Sequence, residues 1–217
     1  AAAYSIFANG GYRVTPWRIL QIEKDNGEVL WKAPEITFCE HHCQAPTTGN
    51  PPAENNSTRH TDDSNSFENA LEPLHPPPVM APRVVDARIA WLMNSILQDV
   101  VRRGTGHQAN RLGRRDLAGK TGTTNDQFDA WFSGYSPDLV ATVWVGFDNP
   151  ATLGWGEYGG KAALPIWMDY MGPALKGVPE HQLKQPSGIA TVRIDPDSGL
   201  LARPENPDSI REYFIDS

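Results

Sequence analysis

Leu117-Ala118-Gly119-Lys120-Thr121-Gly122-Thr123-Thr124 is the stretch on which the reading of this chain turns. A lysine sits between two glycines, and three threonines fall within the next four positions. Gly119-Lys120-Thr121 has the ending of a phosphate-binding loop. Such a loop needs a further glycine five positions before its last one, where this chain has Arg114. It must also open a helix. Here Asn125 and Asp126 follow, and then an alternating run. The segment therefore reads as a strand. On a strand, positions 121 and 123 share one face and positions 120 and 122 the other. Two hydroxyls project together, and Lys120 emerges on the opposite side, a tension that parity alone does not resolve.

Working outward, Asp129 to Tyr135 alternates, with Ala130, Phe132 and Gly134 on one face and Trp131 and Tyr135 on the other. Ser136-Pro137-Asp138 turns the chain into a stronger strand, Leu139 to Phe147. Three consecutive strands with short turns imply an antiparallel meander. Upstream, Ile89, Met93, Ile96, Leu97 and Val100 fall at helical spacing. Asp86 stands at the start of that helix, Arg102-Arg103 in its last turn, and Gly104-Thr105-Gly106 stops it. Downstream, a helix is expected from about Lys161 to Tyr170, with Trp167, Tyr170 and Met171 on its apolar side. A final hairpin is expected between Ile189–Ile194 and Leu200–Ala202, around the turn Asp195-Pro196-Asp197-Ser198-Gly199.

The chain opens Ala1-Ala2-Ala3-Tyr4-Ser5-Ile6-Phe7-Ala8-Asn9, with Gly10-Gly11 as a stop. This reads as the end of a helix that begins upstream, so a fragment of a longer protein is expected. Val14 to Trp31 reads as a hairpin about Asp25-Asn26-Gly27. From Ala33 to about Pro82, Pro, Ser, Thr, Asn and His dominate, a composition that buries too little apolar surface to offset ordering entropy. That stretch reads as a long surface insertion. Cys39 and Cys43 bracket His41-His42 within it, which leaves a short-loop disulfide, free thiols and a metal site all open.

With 217 residues and 39% hydrophobic content, the chain is expected to form one globular domain with a small appendage. A net charge of −7 argues against a general nucleic-acid binder. No apolar run approaches the ~18 residues that a membrane span requires. Trp131 and Trp144 read as core residues rather than substrate platforms, Asp126 and Asp129 as turn and strand-start residues, and His107 as a surface residue.

Gly119-Lys120-Thr121-Gly122-Thr123-Thr124, then Asp129-Ala130-Trp131-Phe132, Gly134-Tyr135 and Trp144-Val145-Gly146-Phe147-Asp148 resemble the transpeptidase domain of class A penicillin-binding proteins. Lys-Thr-Gly is the third motif of such serine acyl transferases. The opening Ala3 to Gly11, Gly104-Thr105-Gly106 and Ile194 to Leu201 resemble the same family, and the 1A type of Gram-negative bacteria within it. The resemblance implies an α+β architecture, part of a β-lactamase/penicillin-binding transpeptidase-like fold, with an antiparallel sheet flanked by helices. The implied organisation is residues 1–32 as helix end and hairpin, and 33–83 as insertion. Residues 84–176 would form the core with the Lys-Thr-Gly motif, and 177–217 a C-terminal hairpin and tail.

The same resemblance implies that Lys120, Thr121, Gly122, Thr123 and Thr124 bind substrate and that Lys120 and Thr123 serve catalysis. In such a site a cation and hydroxyls hold the terminal carboxylate of a D-Ala-D-Ala peptide, the substrate pairs with the strand, and the Thr123 N–H forms half of an oxyanion hole. Expected partners are peptidoglycan stem peptides and β-lactam antibiotics, with no nucleic acid, no cofactor and no metal. The family's nucleophile is the serine of Ser-x-x-Lys, and its second motif is Ser-x-Asn. No serine here has lysine three positions on or asparagine two positions on. Both motifs are expected on an upstream stretch of the same protein. Membrane contact is expected only through an N-terminal anchor outside this chain, on the periplasmic side of the bacterial inner membrane. A β-lactamase-type hydrolase fragment and a non-catalytic cell-wall scaffold piece are the alternatives.

Overall fold

Three alternating segments in the middle of the chain zip into one sheet, and helices cover the apolar faces that such a sheet presents. The structure is a computed structural model and describes residues 1–37 and 79–216. The chain divides into two compact units, Ala1–Val14 with Arg83–Ser217, and Thr15–Pro82. In the larger unit, α1 spans Ala2–Ala8. It ends where Gly10 and Gly11 take φ of 80° and 109°. A Cβ on Gly11 would lie 2.3 Å from the Val85 carbonyl oxygen, so only glycine permits that crossing.

Among the described residues, the smaller unit holds two strand pairs. β1 (Gln21–Glu23) and β2 (Val29–Lys32) are antiparallel. Their turn is held by Asn26, whose side-chain oxygen accepts from the Glu28 N–H at 3.0 Å. β3 (Ile36–Thr37) and β4 (Val79–Met80) pair in parallel, where composition suggested only irregular chain. Main-chain bonds supply there what apolar patterning does not. Cys39, His41, His42 and Cys43 lie outside the described residues.

In the larger unit, α2 spans Ala87–Arg102, and the Asp86 carboxylate caps it by accepting from the Arg88 N–H. Its buried positions are Ala90, Asn94, Leu97, Gln98 and Val101. The apolar stripe expected from the sequence is therefore corrected by about one residue, because Ile89 and Ile96 are exposed. Asn94 accounts for part of the rotation. Its side-chain oxygen accepts from the buried Tyr135 hydroxyl at 3.1 Å, so a polar residue faces inward. After Gly104-Thr105-Gly106, a 3₁₀ turn at His107–Leu112 leads to the sheet.

That sheet comprises β5 (Ala118–Thr123), β6 (Asp129–Ser136) and β7 (Leu139–Gly146), antiparallel and in that order. α3 (Gly159–Ala174) lies over one face. Phe132 meets Trp167 of α3 edge-on at 5.0 Å, and both are fully buried with Leu164 and Met171. The Trp167 N–H donates to the Gly134 and Ala141 carbonyls at 3.3 and 3.2 Å. On the other face, Tyr135 and Ala118 pack with Ala8 of α1 and Leu97 of α2. The alternation expected for β6 is observed. Trp131 and Trp144 correct it in one respect: they are 41% and 44% exposed and contact each other rather than the core.

α3 starts before and ends after its expected span, running through Gly172-Pro173. Met171 and Leu175 are core residues on either side of that pair, and their burial outweighs the local breakers. Tyr170, expected on the apolar side, is exposed, and Ala163 and Leu164 are buried. The final hairpin pairs β8 (Ile189–Ile194) with β9 (Ile210–Ile215). The expected pairing of Leu200–Ala202 with the end of β8 is present only as one antiparallel bridge, Leu201 to Ile194, with the Ala202 N–H donating to the Arg193 carbonyl; the long partner is β9. The Asp195 turn closes on itself through the Asp195 N–H to the Leu200 carbonyl, and the chain continues to β9. There Tyr213 packs edge-on against Trp91 of α2 at 4.7 Å, which ties the hairpin to the helix.

Candidate functional site

β5 is an edge strand, so one side of its backbone is committed to β6 and no described strand covers the other. Its register pairs Thr121 with Phe132, Gly122 with Trp131 and Thr123 with Ala130. The Thr124 N–H donates to the Asp129 carbonyl at 3.1 Å, which makes 124 and 129 a hydrogen-bonded pair. Alternation along an antiparallel ladder then commits the backbone groups of Gly122 and Lys120 to β6. The N–H and C=O groups of Thr121 and Thr123 turn the other way, toward the open edge.

The side chains obey strand parity. Thr121 and Thr123 lie on the α3 face, as do their partners Phe132 and Ala130. Lys120 leaves on the opposite face and is exposed. Its flexible stem then brings the ammonium back to the edge, where Nζ donates to the Thr121 carbonyl at 3.0 Å. The tension left by parity is thereby removed: the charge and the two hydroxyls flank one open edge although they leave the strand on opposite faces.

Each threonine hydroxyl has a local partner. Thr121 Oγ1 lies 2.8 Å from Thr105 Oγ1, and Thr123 Oγ1 accepts from the Gly159 N–H at 3.1 Å. Thr124 is different. Its hydroxyl accepts from the Asp129 N–H at 2.8 Å and donates to the Asp129 carboxylate at 3.3 Å. Asp129 also accepts from the Trp144 N–H at 2.7 Å. Thr124 thus closes the β5–β6 turn and lies outside the hydroxyl pair. Gly122 gives the Lys120 face a smooth surface; a Cβ there would lie 3.2 Å from Trp131 Cβ.

The turn beyond the edge is strained and braced. Asp126 and Gln127 both have φ of 56°, a region unfavourable to side-chain-bearing residues. The loop before α3 holds them: Thr152 Oγ1 donates to the Asp126 carbonyl at 2.8 Å, and the Leu153 N–H to the Gln127 carbonyl at 2.9 Å. The Gly156 N–H reaches the Gln127 side-chain oxygen at 3.1 Å.

A lysine ammonium, two hydroxyls and outward-facing N–H groups along one edge are suited to an extended peptide ending in a carboxylate. The site is an open edge. A concavity of about 350 Å³, lined by Val101, Arg102, Asn110, Arg114, Arg115 and Leu117, contains none of these groups. Two further contributors were not singled out by sequence reasoning. Thr105 was read as part of a helix stop and of the family resemblance but given no role at the site, and Gly159 was not noticed. Paired glycines opening a helix were the available signal for the second, since they allow close backbone approach. No helix among the described residues is long and apolar enough to cross a membrane.

Comparison with known proteins gives a consistent result. Residues 1–172 match the family described as penicillin binding protein transpeptidase domain. Penicillin-binding protein 1A of Pseudomonas aeruginosa is 47% identical over 222 residues, covering 99% of this chain and 27% of that protein. The protein of the same name from Escherichia coli is 37% identical over 257 residues, covering 100% of this chain and 30% of that protein. The crystal structure of penicillin-binding protein 1A from Haemophilus influenzae superposes with a TM-score of 0.75 at 34% identity. The match covers 99% of this chain and 31% of that one. The chain thus spans about a quarter to a third of the length of these relatives.

Proposed function

Since the chain belongs to the penicillin-binding protein transpeptidase family, we propose that it supplies one wall of a peptidoglycan D,D-transpeptidase site. The nucleophilic serine comes from another stretch of the same protein, because no Ser-x-x-Lys occurs in these 217 residues. The observation that carries the reading is the convergence at β5 of the Lys120 ammonium, the Thr121 and Thr123 hydroxyls, and the outward Thr123 N–H.

In this reading the donor stem peptide pairs with the open edge of β5. Lys120 and the two threonines hold its terminal carboxylate. The serine oxygen attacks the carbonyl of the penultimate D-Ala, and terminal D-Ala leaves as the acyl-serine ester forms. An amine on a second stem peptide then displaces the serine. The oxyanion formed in each step accepts from the Thr123 N–H and from the serine's own N–H. One such donor contributes about 3 kcal/mol in hydrolases where it has been removed. Gly122 acts by lacking a side chain on the Lys120 face, and Thr124 by closing the turn with its hydroxyl. β-Lactams enter the same site because they carry a carboxylate beside a reactive amide. The reading places the reaction on the periplasmic side of a bacterial inner membrane, with any anchor outside this chain.

The test is covalent labelling of the full-length protein by a fluorescent penicillin. Wild type is expected to be labelled, and Lys120→Ala to be labelled on the order of 100-fold more slowly with an unchanged melting temperature. Absence of label in a wild-type protein that retains a Ser-x-x-Lys motif would sink the reading. Labelling of the variant at the wild-type rate would remove Lys120 from it.

A further inference from the structure

Three threonines from two segments meet at the site, and only two of them lie on the strand. Thr105 stands in the turn after α2, and its Oγ1 is 2.8 Å from Thr121 Oγ1. The Thr123 hydroxyl is met from the other side by the Gly159 N–H at 3.1 Å. A threonine hydroxyl has one proton and two lone pairs. The Gly159 amide fills a lone pair of Thr123 and leaves the Thr123 proton free to donate. Thr105 can do the same for Thr121: when its own proton goes to Thr121 Oγ1, the Thr121 proton is released outward. Among the described residues, no other hydrogen bond engages the Thr121 or Thr123 hydroxyls. Thr123 is exposed and Thr121 half-buried, so both can reach a ligand.

The backbone around these contacts is close-fitting. A Cβ on Gly159 would lie 2.2 Å from the Trp131 carbonyl oxygen and 2.7 Å from that of Gly122. A Cβ on Gly160 would lie 2.9 Å from the Thr105 carbonyl oxygen. The first two residues of α3 are therefore wedged between the β5–β6 ladder and the Thr105 turn. Helix–sheet packing accounts for the approach. It does not account for a hydroxyl at 105 aimed at the oxygen of Thr121, because a valine of equal shape would pack there as well.

We propose that Thr105 is a positioning residue that orients the Thr121 hydroxyl proton toward the carboxylate of the substrate. The proposal rests on the acyl-transfer reading above. Thr105 acts through Thr121 and contacts no reacting atom.

The test uses the full-length protein, a penicillin with a free carboxylate, and the methyl ester of the same penicillin. Acylation rates by the two compounds are compared as a ratio. Thr105→Val is expected to lower the acid-to-ester ratio about tenfold, the effect of one misdirected hydrogen bond to a charged group. Thr105→Ser keeps the hydroxyl and is expected to restore the ratio. Thr105→Ala provides a second hydroxyl-free variant if the valine folds poorly, and should lower the ratio equally. A purely structural role would slow both compounds alike and leave the ratio at its wild-type value; that outcome overturns the proposal. A ratio lowered in the serine variant as much as in the valine would overturn it too. A wild-type protein that neither compound acylates would instead remove the acyl-transfer reading, and this inference with it.

Discussion

Lys120 illustrates how far a residue can be read before its neighbours are known. Its type and flanks pointed to anion binding, but strand parity sent it away from the threonines it was expected to assist. The four-carbon stem removes the conflict, because an ammonium on a flexible chain can return to the strand edge. Trp131 and Trp144 went the other way. Their size suggested core, yet they meet as a tilted pair at 6.0 Å in the open, since in the described structure the face of the sheet that they share is covered at its other end, around Tyr135. Arg114 and Asp116 lie just before β5, and sequence reasoning gave Asp116 no role. The structure buries Asp116 completely and gives it a bidentate partner, with Arg114 Nε and Nη2 at 2.9 and 2.6 Å. Arg114 Nη1 also donates to the Val178 carbonyl at 2.7 Å, joining the entry of β5 to the segment after α3. Arg114→Ala leaves a buried carboxylate without its cation, and the expected loss is about 3–5 kcal/mol in urea unfolding. A loss below about 1 kcal/mol would mean that Asp116 remains solvated or finds another partner.

Whole elements were legible where local signals agreed with one another. α2 runs from Ala87, capped by Asp86, to Arg102 because cap, periodicity and terminal charges all point the same way. The Asp86 carboxyl is held below its ordinary value by the Arg88 guanidinium first and the Arg88 N–H second. A carboxylate whose folded pKa is depressed stabilises above its unfolded pKa, and that contribution disappears as pH falls through the folded value. Asp86→Ala is therefore expected to melt at a lower temperature than wild type at neutral pH, with the difference closing as acid protonates Asp86. A difference that persists unchanged in acid would show that the cap acts without its charge. Boundaries were less legible. The end of α3 was placed too early because Gly172-Pro173 signals a stop, and only the burial of Met171 and Leu175 carries the helix past it. Between β5 and β6, Asp126 was read simply as a turn residue. The positive φ at Asp126 and Gln127 is maintained by a loop about 25 residues further along, which no local pattern announces.

At the scale of the molecule, one side chain joins the parts of the larger unit. Tyr135 comes from the central strand, packs against Tyr4 of α1 at 6.4 Å and donates to Asn94 of α2. Burial pushes its phenol pKa well above the ordinary 10.0. A group whose folded pKa is raised contributes fully below its unfolded pKa, and the contribution is lost as pH rises toward the folded value. Tyr135→Phe is thus expected to flatten the fall in melting temperature between about pH 9 and about pH 12, at the cost of the Asn94 bond at neutral pH. An unchanged alkaline slope would assign that sensitivity to other tyrosines. The sequence by itself determined the meander, the helix before it, the helix after it and the strand carrying Lys120, Thr121 and Thr123, because periodicity, caps and turns are local properties of the chain. It also carried the family, through the resemblance of its motifs between Gly119 and Asp148 and of the flanking segments at Ala3–Gly11, Gly104–Gly106 and Ile194–Leu201. Only the tertiary structure decided which face of α2 is buried, which strand pairs with β8, and where Trp131 and Trp144 lie. Only it brought Thr105 and Gly159 to the two threonines. These outcomes depend on contacts between residues distant in sequence, whose energies no local pattern contains.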